Sequence, residues 1–160
     1  MAPPPMTFHL PSEDDTTAFG VALANVLKVG DTLLLEGEIG SGKSTLSRAI
    51  IRALADNPAE EVPSPTYTLV QTYETPRGEV WHADLYRLTT PEEALELGLA
   101  EAFDQAICLI EWPDRLEDLR PRDALTVRLA PDGTGRSILL DGDVTWPGRL
   151  ADIFGDFANA

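Results

Sequence analysis

Gly37-Glu38-Ile39-Gly40-Ser41-Gly42-Lys43-Ser44 is the stretch on which the reading of this chain turns. It satisfies the pattern G-x-x-x-x-G-K-[ST], in which glycines let the backbone curl until successive amides point inward at phosphate oxygens. In that pattern Lys43 reaches the β- and γ-phosphates of a nucleotide and the Ser44 hydroxyl binds Mg²⁺. The flanks fit. Thr32 to Glu36, just before the loop, is a short apolar strand. Leu46, Ala49, Ile50, Ala53 and Leu54 then form a stripe at helical spacing, predicting a helix over Lys43 to Ala55. Strand, glycine-rich turn and the positive end of a helix dipole together make an anion site.

Upstream, Thr7 to Leu10 reads as a short strand, and Ser12 with Asp15 as a capping box opening a helix to about Lys28. Phe19, Ala22, Leu23, Val26 and Leu27 mark its buried face. Downstream, Asp56 to Thr66 carries three prolines and reads as a loop, and Tyr67 to Glu74 with Glu79 to Asp84 as a hairpin around Thr75-Pro76-Arg77-Gly78. Pro91 to Leu97 is a short helix with proline at its first position. Ala106 to Ile110 is a fully buried strand, followed by a helix from about Pro113.

Past Pro121 a second hairpin is predicted, from Leu125, Val127 and Leu129 to Arg136–Leu140 around Pro131-Asp132-Gly133. Leu150, Ile153, Phe154 and Phe157 then form a helical stripe, either core or a contact surface. No linker divides the chain. The expected fold is α/β: a single P-loop NTPase domain over residues 1–160, with a mixed β-sheet flanked by helices. Residues 1–6 are expected to be a disordered extension, and residues 121–160 a hairpin plus helix of open role.

Composition narrows the class. Apolar residues at 43% and charged residues at 24% are ordinary for a globular domain. No apolar run is long enough to cross a bilayer, and Met-Ala-Pro-Pro-Pro does not read as a secretory signal. Cys108 is the sole cysteine, so an internal disulfide is impossible and a cytoplasmic setting is expected. Twelve basic against 27 acidic side chains leave a net charge of −15. Tight, unaided nucleic-acid binding is therefore not expected, since such affinity rests on cations neutralising phosphates. Arg48 and Arg52, one helical turn apart, are the one local exception noted.

Two acids are candidates for the metal and the attacking water. Glu111 follows the apolar run Ala106 to Ile110, an arrangement shared with Walker B elements, and a carboxylate at a strand's carboxyl end faces the ligand crevice. Asp84 ends Val80-Trp81-His82-Ala83-Asp84 similarly, and strand alternation puts His82 and Asp84 on one face. Either acid could instead cap the segment after it. Ser64-Pro65-Thr66 is placed to close over a γ-phosphate or simply to turn the chain. Trp112 is placed to stack on a base or a partner, or to pack in the core.

These segments together resemble the TsaE (YjeE) family, small bacterial ATPases of transfer-RNA threonylcarbamoyladenosine synthesis. The resemblance lies in Gly37 to Thr45, Ser64-Pro65-Thr66-Tyr67-Thr68-Leu69-Val70, His82-Ala83-Asp84-Leu85-Tyr86-Arg87-Leu88, and Ile107 to Pro113 with its Glu111-Trp112 pair. Glu92-Glu93 and Leu97-Gly98-Leu99 fit as well; order and spacing match from about Leu10 to Pro113. Ser41 stands where alanine is usual, Ser44 where threonine is common, and Pro63 where a polar or basic residue is frequent.

The resemblance implies that ATP is held by Gly40, Ser41, Gly42, Lys43, Ser44, Thr45 and Trp112, with Mg²⁺ on Ser44 and Glu111. It implies that Asp84 serves hydrolysis, to which Lys43 and, from the loop reading, Thr66 are added as catalytic candidates, and it implies partners TsaB and TsaD, the latter performing the transfer itself. Weak ATPase activity alone is expected, because Lys43 and Arg87 are the only cations within the motifs. A P-loop kinase is the main alternative, and a binding module without turnover another. A GTPase is disfavoured because no Asn-Lys-x-Asp segment occurs.

Overall fold

A computed structural model describes residues 3–38, 41–66 and 68–157. Its framework is one seven-stranded sheet in the order β1-β7-β6-β2-β5-β4-β3. The strands are β1 (Met6–Leu10), β2 (Thr32–Glu36), β3 (Val70–Thr75), β4 (Gly78–Asp84), β5 (Ile107–Glu111), β6 (Leu125–Asp132) and β7 (Gly135–Asp141). β2 runs parallel to both β5 and β6, and β5 parallel to β4. Antiparallel pairs complete the two sides, β3 on β4 and β7 between β6 and β1. The fold is a single α/β domain with a mixed sheet between helices.

The largely buried, mostly apolar strands β2 and β5 lie at the centre because helices cover both faces. On one face α1 (Glu13–Val26) and α2 (Lys43–Leu54) pack Phe19, Leu23, Leu46 and Ile50 against Leu33, Leu35, Ile107 and Leu109. On the other, α3 (Pro91–Glu96), α4 (Leu99–Gln105) and a 3₁₀ segment (Pro113–Leu119) cover Leu34, Ala83, Cys108 and Ile110. Burial pushes the Cys108 thiol up to about 12, as expected for an inert core cysteine. Ser12 caps α1 reciprocally with Asp15. Among the described residues no helix is long and apolar enough to cross a membrane.

Several boundaries differ from the sequence expectation. Met6, assigned above to the disordered extension, is the first residue of β1 and pairs with Leu140. β3 starts at Val70 rather than Tyr67; Tyr67 is outside the described residues, and Leu69 has a left-handed backbone (φ 69°) that interrupts an extended run. The second hairpin turns at Gly133-Thr134, with Pro131 inside β6 opposite Arg136. Proline is tolerated there because β2 pairs with β6 only as far as Arg128, leaving Pro131 with a single neighbouring strand. Helix α4 had no sequence expectation, and the segment after Pro113 is 3₁₀ with a break at Glu117.

The region past Pro121 acquires a structural role. Its hairpin is the sheet's bridge between β2 and β1, and two short helices follow, α5 (Trp146–Arg149) and α6 (Ala151–Asp156). Leu150 and Ile153 are buried in the main core, and the Phe157 ring meets Phe19 at 4.9 Å between centroids. The described members of this stripe therefore pack into or against the core. The side chain of Phe154 is outside the described residues. Arg149 ties α5 down: its guanidinium pairs with Asp31, donates 2.6 Å to the Val26 carbonyl and stacks 4.2 Å from the Trp146 ring.

Candidate functional site

The loop between β2 and α2 leaves the carboxyl edge of the parallel strands, where an α/β sheet opens a crevice. Gly37 has φ 145°, and a Cβ there would lie 2.5 Å from Ser41 Oγ and 2.7 Å from the Leu129 carbonyl. Gly42, at φ 107°, opens α2 with no side-chain cap, so the first amides of the helix keep their donors. Ile39 and Gly40 are outside the described residues. Ser41 is fully buried, and its hydroxyl has no partner among the described residues.

Lys43 begins the helix and is only 8% exposed. Among the described residues no carboxylate pairs with its ammonium; the one contact is the Trp112 ring, 5.1 Å away. Lys43, Ser44 and Thr45 line a cavity of about 880 Å³ that Thr66, Asp84, Glu111 and Trp112 also line. Every described residue expected to bind metal or to catalyse therefore reaches one cavity. Gly42 lines it as well.

Sheet register sets the two acids. Asp84 and Glu111 are paired neighbours at the ends of the parallel strands β4 and β5. Alternation puts them on the face of Val80, Ile107 and Leu109, which is the face covered by α2. Their surroundings differ. Asp84 has both oxygens engaged, accepting from the Tyr86 amide at 3.0 Å and from Thr66 Oγ1 at 3.3 Å. Thr66 in turn shares a 2.7 Å hydrogen bond with Ser64, so the proline-rich loop is tied to the strand end. Glu111 Oε2 lies 2.7 Å from His82 Nε2, and Oε1 has no protein partner among the described residues.

Trp112, with a left-handed backbone at φ 58°, stacks on Tyr86 at 4.9 Å, and the Arg115 guanidinium lies 5.8 Å from its ring. It lines the cavity rather than entering the core centre. Arg136 was missed by the sequence reading. It enters the cavity from β7, against Gly42. The only sequence signal was an arginine opening a strand after a glycine turn, which alone points to no ligand. Arg87, the cation noted within the motifs, is not part of the cavity wall.

The family model described as threonylcarbamoyl adenosine biosynthesis protein TsaE matches residues 10–138. The chain belongs to the TsaE family. The match runs past Pro121, where sequence reading alone found no family signature, and takes in β6 and Arg136. A relative in Rickettsia bellii, a tRNA threonylcarbamoyladenosine biosynthesis protein TsaE, is 42% identical over 148 residues, covering 92% of this chain and 94% of its own. One of the same description in Haemophilus influenzae is 33% identical, covering 84% and 88%. Among solved structures, the crystal structure of Bacillus subtilus YdiB superposes with a TM-score of 0.77 at 25% identity, over 98% of this chain and 97% of that one.

Proposed function

We propose that this TsaE-family chain binds ATP with Mg²⁺ and hydrolyses it, as the ATP-driven component of transfer-RNA threonylcarbamoyladenosine synthesis. Lys43 carries the reading. A cation in a largely buried side chain is costly unless paired, and Lys43 sits at a helix N-terminus, lining a cavity, with no carboxylate partner among the described residues. A phosphate group supplies the missing anion. The first amides of α2 add donors of the kind that phosphate oxygens accept.

Ser44 and Glu111 would hold Mg²⁺. Among the described residues no three His, Cys, Asp or Glu side chains converge on an ion site. A two-residue set suits magnesium, which binds through one or two protein groups, water and phosphate oxygens. When bound, the metal neutralises charge on those oxygens. Asp84, oriented by Thr66 and the Tyr86 amide, accepts the proton of the attacking water. The water oxygen bonds to the γ-phosphorus as the bond to the ADP oxygen breaks, and Lys43 steadies the charge. Thr66 keeps its loop at that end of the nucleotide, and Trp112 walls the Lys43 side.

Assembly with TsaB and TsaD is part of the proposal. It is supported by the family and by a net charge of −15, with which transfer RNA is better met through partners. The test is γ-labelled ATP turnover by the chain alone and with TsaB and TsaD from the same organism. Phosphate should pass to water, slowly alone and at a changed rate with the partners. Transfer to a small acceptor would favour the kinase alternative. Partners that neither bind nor alter the rate would refute the complex.

A further inference from the structure

We propose that His82 is a positioning residue, whose Nε2–H holds one oxygen of the Glu111 carboxylate so that the other is presented to Mg²⁺. The proposal rests on the reading of Glu111 as a metal ligand. His82 is 3% exposed, on the sheet face that carries Val80, Ile107 and Leu109 before the strands end in Asp84 and Glu111. An imidazole there costs desolvation that an apolar side chain would avoid. Packing alone gives no reason for it, because His82 Nδ1 is buried with no partner among the described residues. Only the other nitrogen does work.

That nitrogen lies 2.7 Å from Glu111 Oε2. In the parallel register His82 is beside Leu109 and Asp84 beside Glu111, so the ring reaches diagonally, two residues along, to the end of β5. An ionised carboxylate only accepts hydrogen bonds, so Nε2 carries the proton. The consequence is an asymmetric Glu111, with Oε2 fixed and Oε1 unpartnered among the described residues. Asp84, one strand away, has both oxygens occupied. The pair thus differs in which acid keeps an open oxygen for an ion. Partners of this kind, behind a metal ligand, typically set affinity by ten- to a hundredfold.

The test separates position from packing with two amides of similar polarity. A Gln side chain can place its N–H near the site of Nε2, whereas Asn ends near the site of Nδ1. Calorimetry measures ADP affinity with Mg²⁺ and with chelator for the wild type, His82→Gln and His82→Asn, with thermal unfolding to confirm folding. The wild type should bind more tightly with Mg²⁺. His82→Gln should keep most of that gain and His82→Asn should lose about tenfold of it, with chelator affinities equal. Equal Mg²⁺ gains in the two folded variants, or a loss confined to metal-free binding, would overturn the positioning role. A wild type with no Mg²⁺ gain would instead refute the metal reading on which the proposal stands.

Discussion

Lys43→Met should move binding and stability in opposite directions. Lys43 as a residue is 8% exposed, and its ammonium lines the cavity with no carboxylate beside it among the described residues, so partial desolvation goes uncompensated. Among the described residues the only return is the Trp112 ring at 5.1 Å, worth about 0.5–2 kcal/mol. Methionine has a similar length and keeps the packing of the stem without the charge. The nucleotide-free protein should therefore gain about 1–3 kcal/mol. For a chain of this size each kcal/mol raises the unfolding midpoint by about 2–4 °C. ATP binding should suffer: losing a charge-assisted contact of about 1.5–3 kcal/mol weakens it roughly tenfold to 150-fold. Calorimetry with Mg²⁺ and ATP reads the first effect, and thermal unfolding without nucleotide the second. Wild-type affinity in the variant would refute the phosphate role. Loss of affinity together with loss of stability would mean that Lys43 is a structural cation, and the reading of its burial would be wrong.

Glu111→Ala should abolish most of the Mg²⁺-dependent gain in nucleotide affinity, whereas Asp84→Asn should leave binding near wild type and slow hydrolysis by at least a hundredfold; swapped phenotypes would exchange the two roles. Arg149→Ala removes the pair with Asp31 and the bond to the Val26 carbonyl. Because the arginine side chain is 24% exposed, the loss should be about 2–3 kcal/mol rather than that of a fully buried pair, and a midpoint fall under about 4 °C would contradict it. The Cys108 thiol, raised to about 12 by burial, binds its proton more tightly folded than unfolded. Its contribution to stability is complete below the unfolded value near ~8.5 and is lost as pH rises through the folded one. Cys108→Ala should flatten the decline in stability above about pH 9, and identical profiles would show that this thiol is not its cause.

Much of the site was legible because its chemistry is local. The glycine loop, the lysine and the helix after it lie within one strand–turn–helix unit, where spacing alone dictates geometry. Asp84 and Glu111 were found by the rule that ligands lie at the carboxyl ends of parallel strands, and register then made them neighbours. What stayed hidden is long-range. The His82–Glu111 bond spans 29 residues and depends on β4 lying beside β5, which no period in the chain states. The hairpin past Pro121 alternates visibly, but alternation does not say which strand it joins. Its insertion next to β2 carries Arg136 to the loop. Gly40, expected to bind ATP, and Tyr67, expected to open the first hairpin strand, are outside the described residues.

Arg136 also changes the reason for expecting dependence on partners. In the motifs alone Lys43 and Arg87 were the only cations, which suggested that the charge of the transition state was under-compensated until another chain arrived. Arg87 does not line the cavity, and Arg136 does, with its Nη1 donating to the Gly135 carbonyl at 2.9 Å. A second positive side chain therefore already lines the cavity proposed to hold the nucleotide. A simple shortage of charge would then not account for the slow turnover proposed for the isolated chain. Position does better. Arg136 enters from β7, on the far side of β6 from the parallel strands bearing Asp84 and Glu111. Thr66 meets Asp84 at 3.3 Å, a loose contact for a hydroxyl and a carboxylate. A partner that pressed the loop at residues 64–66 toward the cavity would shorten that contact without supplying any charge. On the proposed reading, any rise in turnover that TsaB and TsaD produce should survive removal of an arginine they bring to the site and should be lost when Thr66 is replaced by valine.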